Sequence, residues 1–254
     1  MPYFKYNEKS CYYEEHGDGI PLLFLHGNTA SSKMFCNVVE PFAKHYKVVL
    51  IDFLGHGKSD RVEKLETDLW FDEALQVIAF LEQAHYKKAN LIGSSGGALV
   101  AINVALERSD LVDKVIADSF EGEVPLQEFV QNVVEEREMS KKDKEGKRFY
   151  YEMHGEDWEN VVDNDTNAIY KHAKTIGKFF HKPLNGLQTK MLLTGSKEDE
   201  YVKLVHPDFY IETYSKLIGK LCNASMHIFD QGRHPALLSN KDEFVKLAKD
   251  FFDK

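Results

Sequence analysis

The segment between Ala89 and Glu107 restricts the fold more than any other part of the chain. An apolar run leads into Gly-x-Ser-x-Gly, with Ser95 at its centre, and a helical run follows. A sharp turn between a strand and a helix lifts such a serine hydroxyl above the carboxyl edge of a sheet, and glycines relieve the crowding around it. Because Gly and Ser are common, the motif alone also fits an ordinary turn. The strand and helix on either side favour the nucleophile elbow.

Loops after two predicted strands in the C-terminal quarter carry a histidine and a group of acids. His234 follows the apolar run Met226–Phe229, and an acidic loop follows the run Lys190–Thr194. The acidic loop contains Glu198, Asp199 and Glu200. A serine hydroxyl becomes a good nucleophile when a base lies within hydrogen-bond reach and an acid orients that base. The chain order of serine, acid and histidine is the order used by one serine hydrolase architecture.

Two strand ends in the first quarter of the chain carry further motifs. The apolar run Pro21–Leu25 leads into His26-Gly27-Asn28, and Val48–Ile51 leads into Asp-x-x-Gly-His-Gly-x-Ser. With these motifs in this order, the chain resembles the α/β-hydrolase superfamily in its lidded, esterase-like branch. The resemblance covers about residues 21–252. It implies an α/β fold: a mostly parallel, twisted sheet of about eight strands with helices on both faces and a helical lid insertion.

The periodicity of the chain predicts one domain interrupted by an insertion. Apolar runs of strand length alternate with helical runs up to Ser119, which is typical of parallel strands joined by crossover helices. Residues 120–187 show helical periodicity, many charges and no convincing buried strand. We therefore predict an α/β-hydrolase core at 1–119 and 188–254 and a helical lid insertion at 120–187. One further helix is expected from Ser31 or Ser32 to about Lys44.

The resemblance implies a role for each residue of a catalytic site. Ser95 is the expected nucleophile, and His234 is the expected base. Related enzymes usually place the acid three residues after the glycine that ends its strand, which would be Glu198. We prefer Asp199 because Asp is the commoner acid and a loop easily absorbs one extra residue. The backbone amides of Asn28 and Gly96 are expected to form the oxyanion hole.

Other polar and aromatic residues near these motifs have simpler expected roles. The resemblance makes His26 and His56 structural residues of strand-end turns. Phe120, Phe129 and Trp158, together with Phe35 beside the oxyanion turn, are candidates for lining an acyl pocket. No cluster of His, Cys, Asp and Glu has the spacing of a zinc site, and no glycine-rich loop matches a phosphate cradle. We therefore expect neither a metal nor a cofactor.

Composition limits the partners and the compartment. A net charge of −9 over 254 residues argues against nucleic acid and anionic membranes as partners. The three cysteines, Cys11, Cys36 and Cys222, fit no metal or redox motif, so we expect mostly buried, reduced thiols. The N-terminus does not resemble a signal peptide, and no apolar run could span a membrane. These features predict a cytoplasmic protein, and a homodimer is compatible with them.

The sequence therefore predicts a cofactor-independent serine hydrolase of the carboxylesterase type. It would cleave a small or medium carboxylic ester through a Ser-Asp-His triad and an acyl-enzyme. Thioesters, lactones, amides and C–C bonds beside a ketone remain open, because one triad can serve all of them. The other alternative is a ligand-binding protein on the same fold, since a fold alone does not determine function.

Overall fold

An eight-stranded sheet forms the centre of the protein in a computed structural model that describes residues 2–203 and 205–253. The strands are β1 (Tyr3–Tyr6), β2 (Lys9–His16), β3 (Ile20–Leu25), β4 (Tyr46–Ile51), β5 (Ala89–Ser94), β6 (Val112–Asp118), β7 (Lys190–Ser196) and β8 (Ala224–Phe229). Their spatial order is β1-β2-β4-β3-β5-β6-β7-β8. Strands β1 and β2 pair antiparallel with their neighbours, and all later pairs are parallel. The predicted α/β fold and strand number are confirmed.

Helices follow most of the strands. They are α1 (Val39–Ala43), α2 (Leu69–Gln83), α3 (Gly96–Glu107), α4 (Gln127–Lys142), α5 (Lys144–His154), α6 (Trp158–Thr175), α7 (Glu200–Lys203), α8 (Phe209–Ile218), α9 (Ala236–Ser239) and α10 (Lys241–Phe252). No helix within the described part of the chain is long and apolar enough to cross a membrane.

Alternate residues of the central strands belong to two different hydrophobic cores. Leu23 and Leu25 of β3 belong to a core shared with α2 and α3, whereas Leu22 and Phe24 belong to a core shared with α1 and α10. Successive side chains of a strand point to opposite faces, so helices cover both faces of the sheet. This burial explains why the central strands are continuous apolar runs rather than alternating ones.

Three helices, α4 to α6, connect β6 to β7, and we call residues 127–175 the α4–α6 segment. Side chains of this segment bond to the loops after β3 and β4. Among these contacts, Asn164 Oδ1 accepts from Leu65 N (3.0 Å), and Arg61 forms two hydrogen bonds with the Asp157 carboxylate. The segment is therefore held against the carboxyl edge of the sheet by polar contacts.

The prediction of one continuous helix from Ser31 or Ser32 to about Lys44 is wrong. The structure has a short 3-10 helix at Ser32–Phe35 and then α1. Tertiary contacts replace the expected helix cap: Ser31 Oγ donates to Met153 O (3.1 Å), and Ser32 N donates to Asp52 Oδ1 (2.7 Å). The short helices α7 and α9 were not expected from the sequence.

The expectation of mostly buried cysteines is wrong for two of the three. Cys11 is fully buried, whereas Cys36 and Cys222 are exposed. All three are free thiols. Cys36 lies in the irregular stretch after the 3-10 helix, and Cys222 lies in the turn before β8, so neither has the regular pattern from which burial can be deduced.

The glycines of the elbow are required by close backbone packing. A Cβ on Gly97 would lie 2.1 Å from Leu25 O, and a Cβ on Gly93 would lie 2.0 Å from Gly97 O. Neither glycine has a positive φ; that conformation falls on Ser95, with φ 56° and ψ −123°. The two glycines thus allow β3, β5 and α3 to approach each other closely, and the serine itself takes the unusual backbone conformation.

We predict that Gly97→Ala lowers the free energy of unfolding by about 3 kcal/mol, because the backbone of β3 must move to admit the methyl group. Gly219→Ala is the control, since its Cβ meets nothing closer than 3.4 Å and its φ is −62°. That control should be neutral or slightly stabilising. Urea denaturation measures both, and equal stability of the two variants would contradict the packing argument.

Candidate active site

The residues predicted to form a triad come together at the carboxyl edge of the sheet. Ser95 Oγ lies 3.0 Å from His234 Nε2, and His234 Nδ1 lies 2.8 Å from Asp199 Oδ2. Ser95 follows β5, Asp199 follows β7, and His234 follows β8. These parallel strands end at one edge of the sheet, so residues 139 positions apart meet there.

The two other acids of the loop after β7 occupy different places. Glu198 is exposed at the surface, whereas Asp199 is fully buried. Glu200 Oε2 accepts a hydrogen bond from the backbone N–H of His234 (3.0 Å), so it fixes the histidine loop rather than the imidazole. Asp199, and not Glu198, thus contacts the imidazole, which agrees with our choice of Asp199 from the sequence.

The Asp199 carboxylate is held by three donors. Besides His234, Tyr210 Oη donates to Oδ2 (2.7 Å), and Tyr201 N donates to Oδ1 (2.9 Å). Burial raises the pKa of Asp199, but these bonds and the charge of His234 outweigh burial and bring the pKa below its usual value. Asp199 is therefore the anionic partner of the histidine.

Opposing effects also set the pKa of His234. Burial lowers this pKa, but the hydrogen bond from Nδ1–H to Asp199 and the negative charge of Asp199 raise it by more. The net pKa lies above the ordinary histidine value of 6.5. The ring of Tyr201 packs edge-on against the imidazole, with centroids 4.9 Å apart. The imidazole is thus fixed by hydrogen bonds to Asp199 and Ser95 and by one aromatic contact.

A second buried carboxylate near the triad was missed from the sequence. Asp118, the last residue of β6, accepts from Thr194 Oγ1 (2.7 Å), Leu237 N (3.1 Å) and Ser94 Oγ (3.3 Å). Its backbone oxygen accepts from Ser95 N (2.7 Å). Burial raises the pKa of Asp118 to about 6. Asp118 therefore connects the turn at Ser95 to the residues that follow His234. The sequence feature from which Asp118 could have been found is an acidic residue at the end of a buried strand.

The residues predicted for the oxyanion hole lie beside each other. A Cβ on Gly96 would lie 2.2 Å from Asn28 Oδ1, and a Cβ on Gly27 would lie 3.0 Å from Ser95 Cβ. The Asn28 side chain is held by Trp70, whose Nε1 donates to Oδ1 (3.0 Å). The amide-bearing turn after β3 is thus packed directly against the elbow, although Trp70 was not singled out from the sequence.

A cavity of about 320 Å³ opens over Ser95 and His234. Asn28, Gly96, Phe120 and Phe129 line it, as does Arg137 of α4. The other two aromatic candidates for an acyl pocket are not among the lining residues. Trp158 instead stacks on Tyr150, and Phe35 packs edge-on against Phe24 beneath the sheet.

The buried histidines of the strand-end turns are part of the framework. His26 Nδ1–H donates to Gly27 O (2.9 Å), while Nε2 accepts from Phe53 N (3.2 Å). Burial and the nearby His56 lower the pKa of His26 to about 3, so its ring is neutral. His56 donates from Nδ1 to Leu54 O (3.2 Å) and from Nε2 to Asp165 Oδ2 (3.0 Å). Neither ring lines the cavity over Ser95.

No group of three or more His, Cys, Asp or Glu side chains in the described chain is arranged to hold a metal ion. The groups that converge on the cavity are instead a hydroxyl, an imidazole and a carboxylate in a hydrogen-bonded row. This arrangement can move a proton from Ser95 Oγ to His234 Nε2 while Asp199 stabilises the resulting imidazolium.

Comparison with known proteins identifies the family. The family model described as alpha/beta hydrolase fold matches residues 20–174. The chain belongs to the alpha/beta hydrolase fold family. This α/β hydrolase is 25% identical over 266 residues to a 2-hydroxy-6-oxo-6-phenylhexa-2,4-dienoate hydrolase of Comamonas testosteroni, covering 94% of this chain and 90% of the relative.

Further similarities cover hydrolases with different named substrates. The chain is 32% identical over 114 residues to an (E)-2-((N-methylformamido)methylene)succinate hydrolase of Acinetobacter baylyi, over 43% of this chain and 41% of the relative. This match therefore spans less than half of that relative. The enol-lactonase of Burkholderia xenovorans LB400 superposes over the full length of both chains with a TM-score of 0.77 at 17% identity, which shows the fold.

We predict that NMR titration of His234 gives a pKa above 6.5 and that Asp199→Asn brings it down. A protonated His234 is stabilised by the Asp199 anion, so loss of that charge favours the neutral ring. The exposed carboxylate Asp242 provides the control, and Asp242→Asn should leave the titration unchanged. An unaltered midpoint in Asp199→Asn would show that the 2.8 Å contact does not govern the histidine.

Proposed function

We propose that this α/β hydrolase is a serine hydrolase that cleaves a small or medium carboxylic ester through an acyl-enzyme. The observation that carries the proposal is the row Ser95, His234 and Asp199, joined by hydrogen bonds of 3.0 and 2.8 Å at the floor of a cavity. We further propose that residues 120–187 are a lid, because Phe120, Phe129 and Arg137 of this region line the cavity over Ser95.

The first half of the proposed reaction forms the acyl-enzyme. Ser95 Oγ attacks the ester carbonyl carbon and gives its proton to His234 Nε2, while Asp199 stabilises the imidazolium. The amides of Asn28 and Gly96 stabilise the negative charge on the carbonyl oxygen. When the tetrahedral intermediate collapses, the C–O bond breaks and the alcohol leaves with the proton from His234.

The second half of the reaction uses the same groups with water. His234 takes a proton from a water molecule, and the resulting hydroxide attacks the acyl carbon. Collapse returns the proton to Ser95 Oγ and releases the carboxylic acid. The cavity holds about 320 Å³, which agrees with a substrate of small or medium size.

We predict that Ser95→Ala abolishes hydrolysis of short and medium p-nitrophenyl esters, with kcat reduced about 10³-fold or more. Ser94→Ala is the matched control, because that neighbouring hydroxyl bonds to Asp118 and does not line the cavity. A fluorophosphonate should label the unaltered protein and the Ser94 variant but not the Ser95 variant.

Equal labelling of the Ser95 variant and the unaltered protein would refute the acyl-enzyme. Labelling of Ser95 without turnover of any ester would indicate that the serine is reactive but acts on a different class of acyl substrate. If Ser95 were not labelled and neither the unaltered protein nor the Ser95 variant hydrolysed an ester, the ligand-binding alternative would gain support. The three results are distinguishable in one set of assays.

A second candidate reaction is hydrolysis of another acyl bond, such as a lactone or a C–C bond, in a substrate that carries a carboxylate. The observation that favours it is Arg137, which lines the cavity and donates from Nη1 to Tyr150 Oη (3.2 Å). Among the described residues, no carboxylate forms an ion pair with Arg137. A partly buried cation of this kind is suited to an anionic ligand, because guanidinium binds carboxylates through paired hydrogen bonds.

Two of the four glutamates that line the cavity, Glu121 and Glu200, do not rule out an anionic substrate. Burial raises the pKa of Glu121 to about 7, and its Oε2 accepts from Leu126 N (2.7 Å). Glu200 Oε1 forms an ion pair with Arg233 Nη2 (3.1 Å), and Glu200 Oε2 accepts from the His234 backbone amide. The hydrolases of Comamonas testosteroni and Acinetobacter baylyi are named for a dienoate and a succinate, which are both carboxylates.

We predict that Arg137→Gln raises KM about 10-fold or more for an ester or lactone that carries a free carboxylate, and changes KM little for its neutral methyl ester. Arg148→Gln is the control, because Arg148 is an exposed arginine of α5 paired with Glu152. If the two substrates are affected equally, Arg137 is not an anion site.

A further inference from the structure

The turn after β3, which carries the proposed oxyanion amide of Asn28, is held by side chains that belong to the α4–α6 segment. Thr29 N donates to Asp165 Oδ2 (3.0 Å), and His154 Nε2 donates to Thr29 O (3.0 Å). Asp165 lies on α6 and His154 ends α5, so both contacts join parts of the chain more than 120 residues apart. The segment therefore holds both backbone polar groups of Thr29.

Thr29 has a backbone conformation that needs such support. Its φ is 55°, a left-handed conformation that is unfavourable for a β-branched residue. Its hydroxyl donates to Asn28 O (2.6 Å), and Ala30 N donates to Gly27 O (3.2 Å). The peptide between Asn28 and Thr29 is therefore fixed at its N–H and at its C=O. The preceding peptide, which carries the Asn28 N–H, is fixed at its C=O by Ala30 N. Within residues 2–203 and 205–253, no group accepts from the Asn28 N–H.

The two supporting side chains are themselves held from the loop after β4. The His56 ring lies within hydrogen-bond distance of two acceptors, Leu54 O (3.2 Å from Nδ1) and Asp165 Oδ2 (3.0 Å from Nε2), and the contact with Asp165 is a fully buried salt bridge. Burial raises the pKa of Asp165, but the hydrogen bond and charge of His56 outweigh it and lower the pKa. Gly57 N donates to His154 Nδ1 (3.1 Å), which leaves Nε2–H for Thr29.

Stability alone does not account for this arrangement. Asp165 is fully buried, and its Oδ1 has no hydrogen-bond partner in the described chain, which costs folding free energy. Ion pairs taken out of water also gain little net stability. What the arrangement does provide is a fixed position for the turn beside Ser95.

We propose that Asp165, His154 and His56 are positioning residues for catalysis: they hold Thr29 so that the Asn28 amide is set in place to bind the oxyanion. The proposal rests on the proposed serine hydrolase function. It means that the oxyanion hole is complete only when the α4–α6 segment is docked on the core. The three residues act through Thr29 and do not touch the substrate.

The test compares Asp165→Ala and His154→Ala with Asn164→Ala, using a p-nitrophenyl ester. Asn164 is the matched control, because it also joins α6 to the core, through Leu65 N and Val62 O, without contacting Thr29. The first two variants should lose kcat about 10- to 100-fold, less than the deletion of an oxyanion donor costs. KM should change by less than about threefold.

Inhibitor affinity distinguishes positioning from general damage. A trifluoromethyl ketone forms an oxyanion at the serine, whereas the matching secondary alcohol does not. Affinity for the ketone should fall by the same factor as kcat, and affinity for the alcohol should stay unchanged. His154→Gln should restore kcat to within about threefold of the unaltered protein, because its side-chain amide can still donate to Thr29 O.

Folding is checked by circular dichroism and thermal unfolding. If an alanine variant does not fold, His154→Phe decides, because a ring of similar size fills the space but cannot donate to Thr29 O. It should lower kcat about 10-fold with the same ketone-specific loss. The proposal is overturned if folded variants match Asn164→Ala in kcat, or if kcat falls without loss of ketone affinity. Full activity of Ser95→Ala would instead overturn the proposed function itself.

Discussion

The close approach of three backbones at the elbow is the constraint on which the rest of the site depends. Gly97 packs on Leu25 O and Gly93 packs on Gly97 O, so β3, β5 and α3 meet without side chains between them. This contact brings the turn after β3 against Ser95. Ser95 and the Asn28 amide, which we propose as nucleophile and oxyanion donor, can therefore share one small space only because Gly93 and Gly97 lack a Cβ.

Hydrogen bonds to neighbouring elements hold Ser95 in its strained backbone conformation. Ser95 has φ 56° and ψ −123°, and such conformations persist only where the surroundings fix them. Ser95 N bonds to Asp118 O and Ala98 N bonds to Ser95 O, which attaches the residue to β6 and to its own helix. Asp118 also receives Leu237 N, so the same carboxylate connects the serine to the loop that carries His234. The separation of Ser95 and His234 is thus set by the sheet.

Two buried carboxylates near His234 differ in pKa because their surroundings differ. Asp118 is surrounded by neutral donors, and burial raises its pKa to about 6. Asp199 faces the imidazole directly, and its pKa is lowered. Asp199 therefore bonds directly to Nδ1 of the histidine, whereas Asp118 acts on the histidine only through its charge and bonds to the ends of neighbouring strands. Environment, not residue type, separates the two roles.

The sequence predicted the elements and residues whose signals are local, and it missed those that depend on contacts across the chain. In the helix Lys241–Phe252, the buried residues Phe244, Ala248 and Phe251 stand at helical spacing, so this local pattern is sufficient to predict the element. The residues of the proposed triad stand in motifs at strand ends, so their meeting follows from parallel strand topology. Ser31 and Asp165 could not be interpreted in the same way. Each looks like a solvated polar residue until the α4–α6 segment is placed against the core, and their partners Met153 and Thr29 lie 122 and 136 positions away. Polar residues that join a segment to a core have no periodicity of their own, so their function can be recognised only in the folded protein.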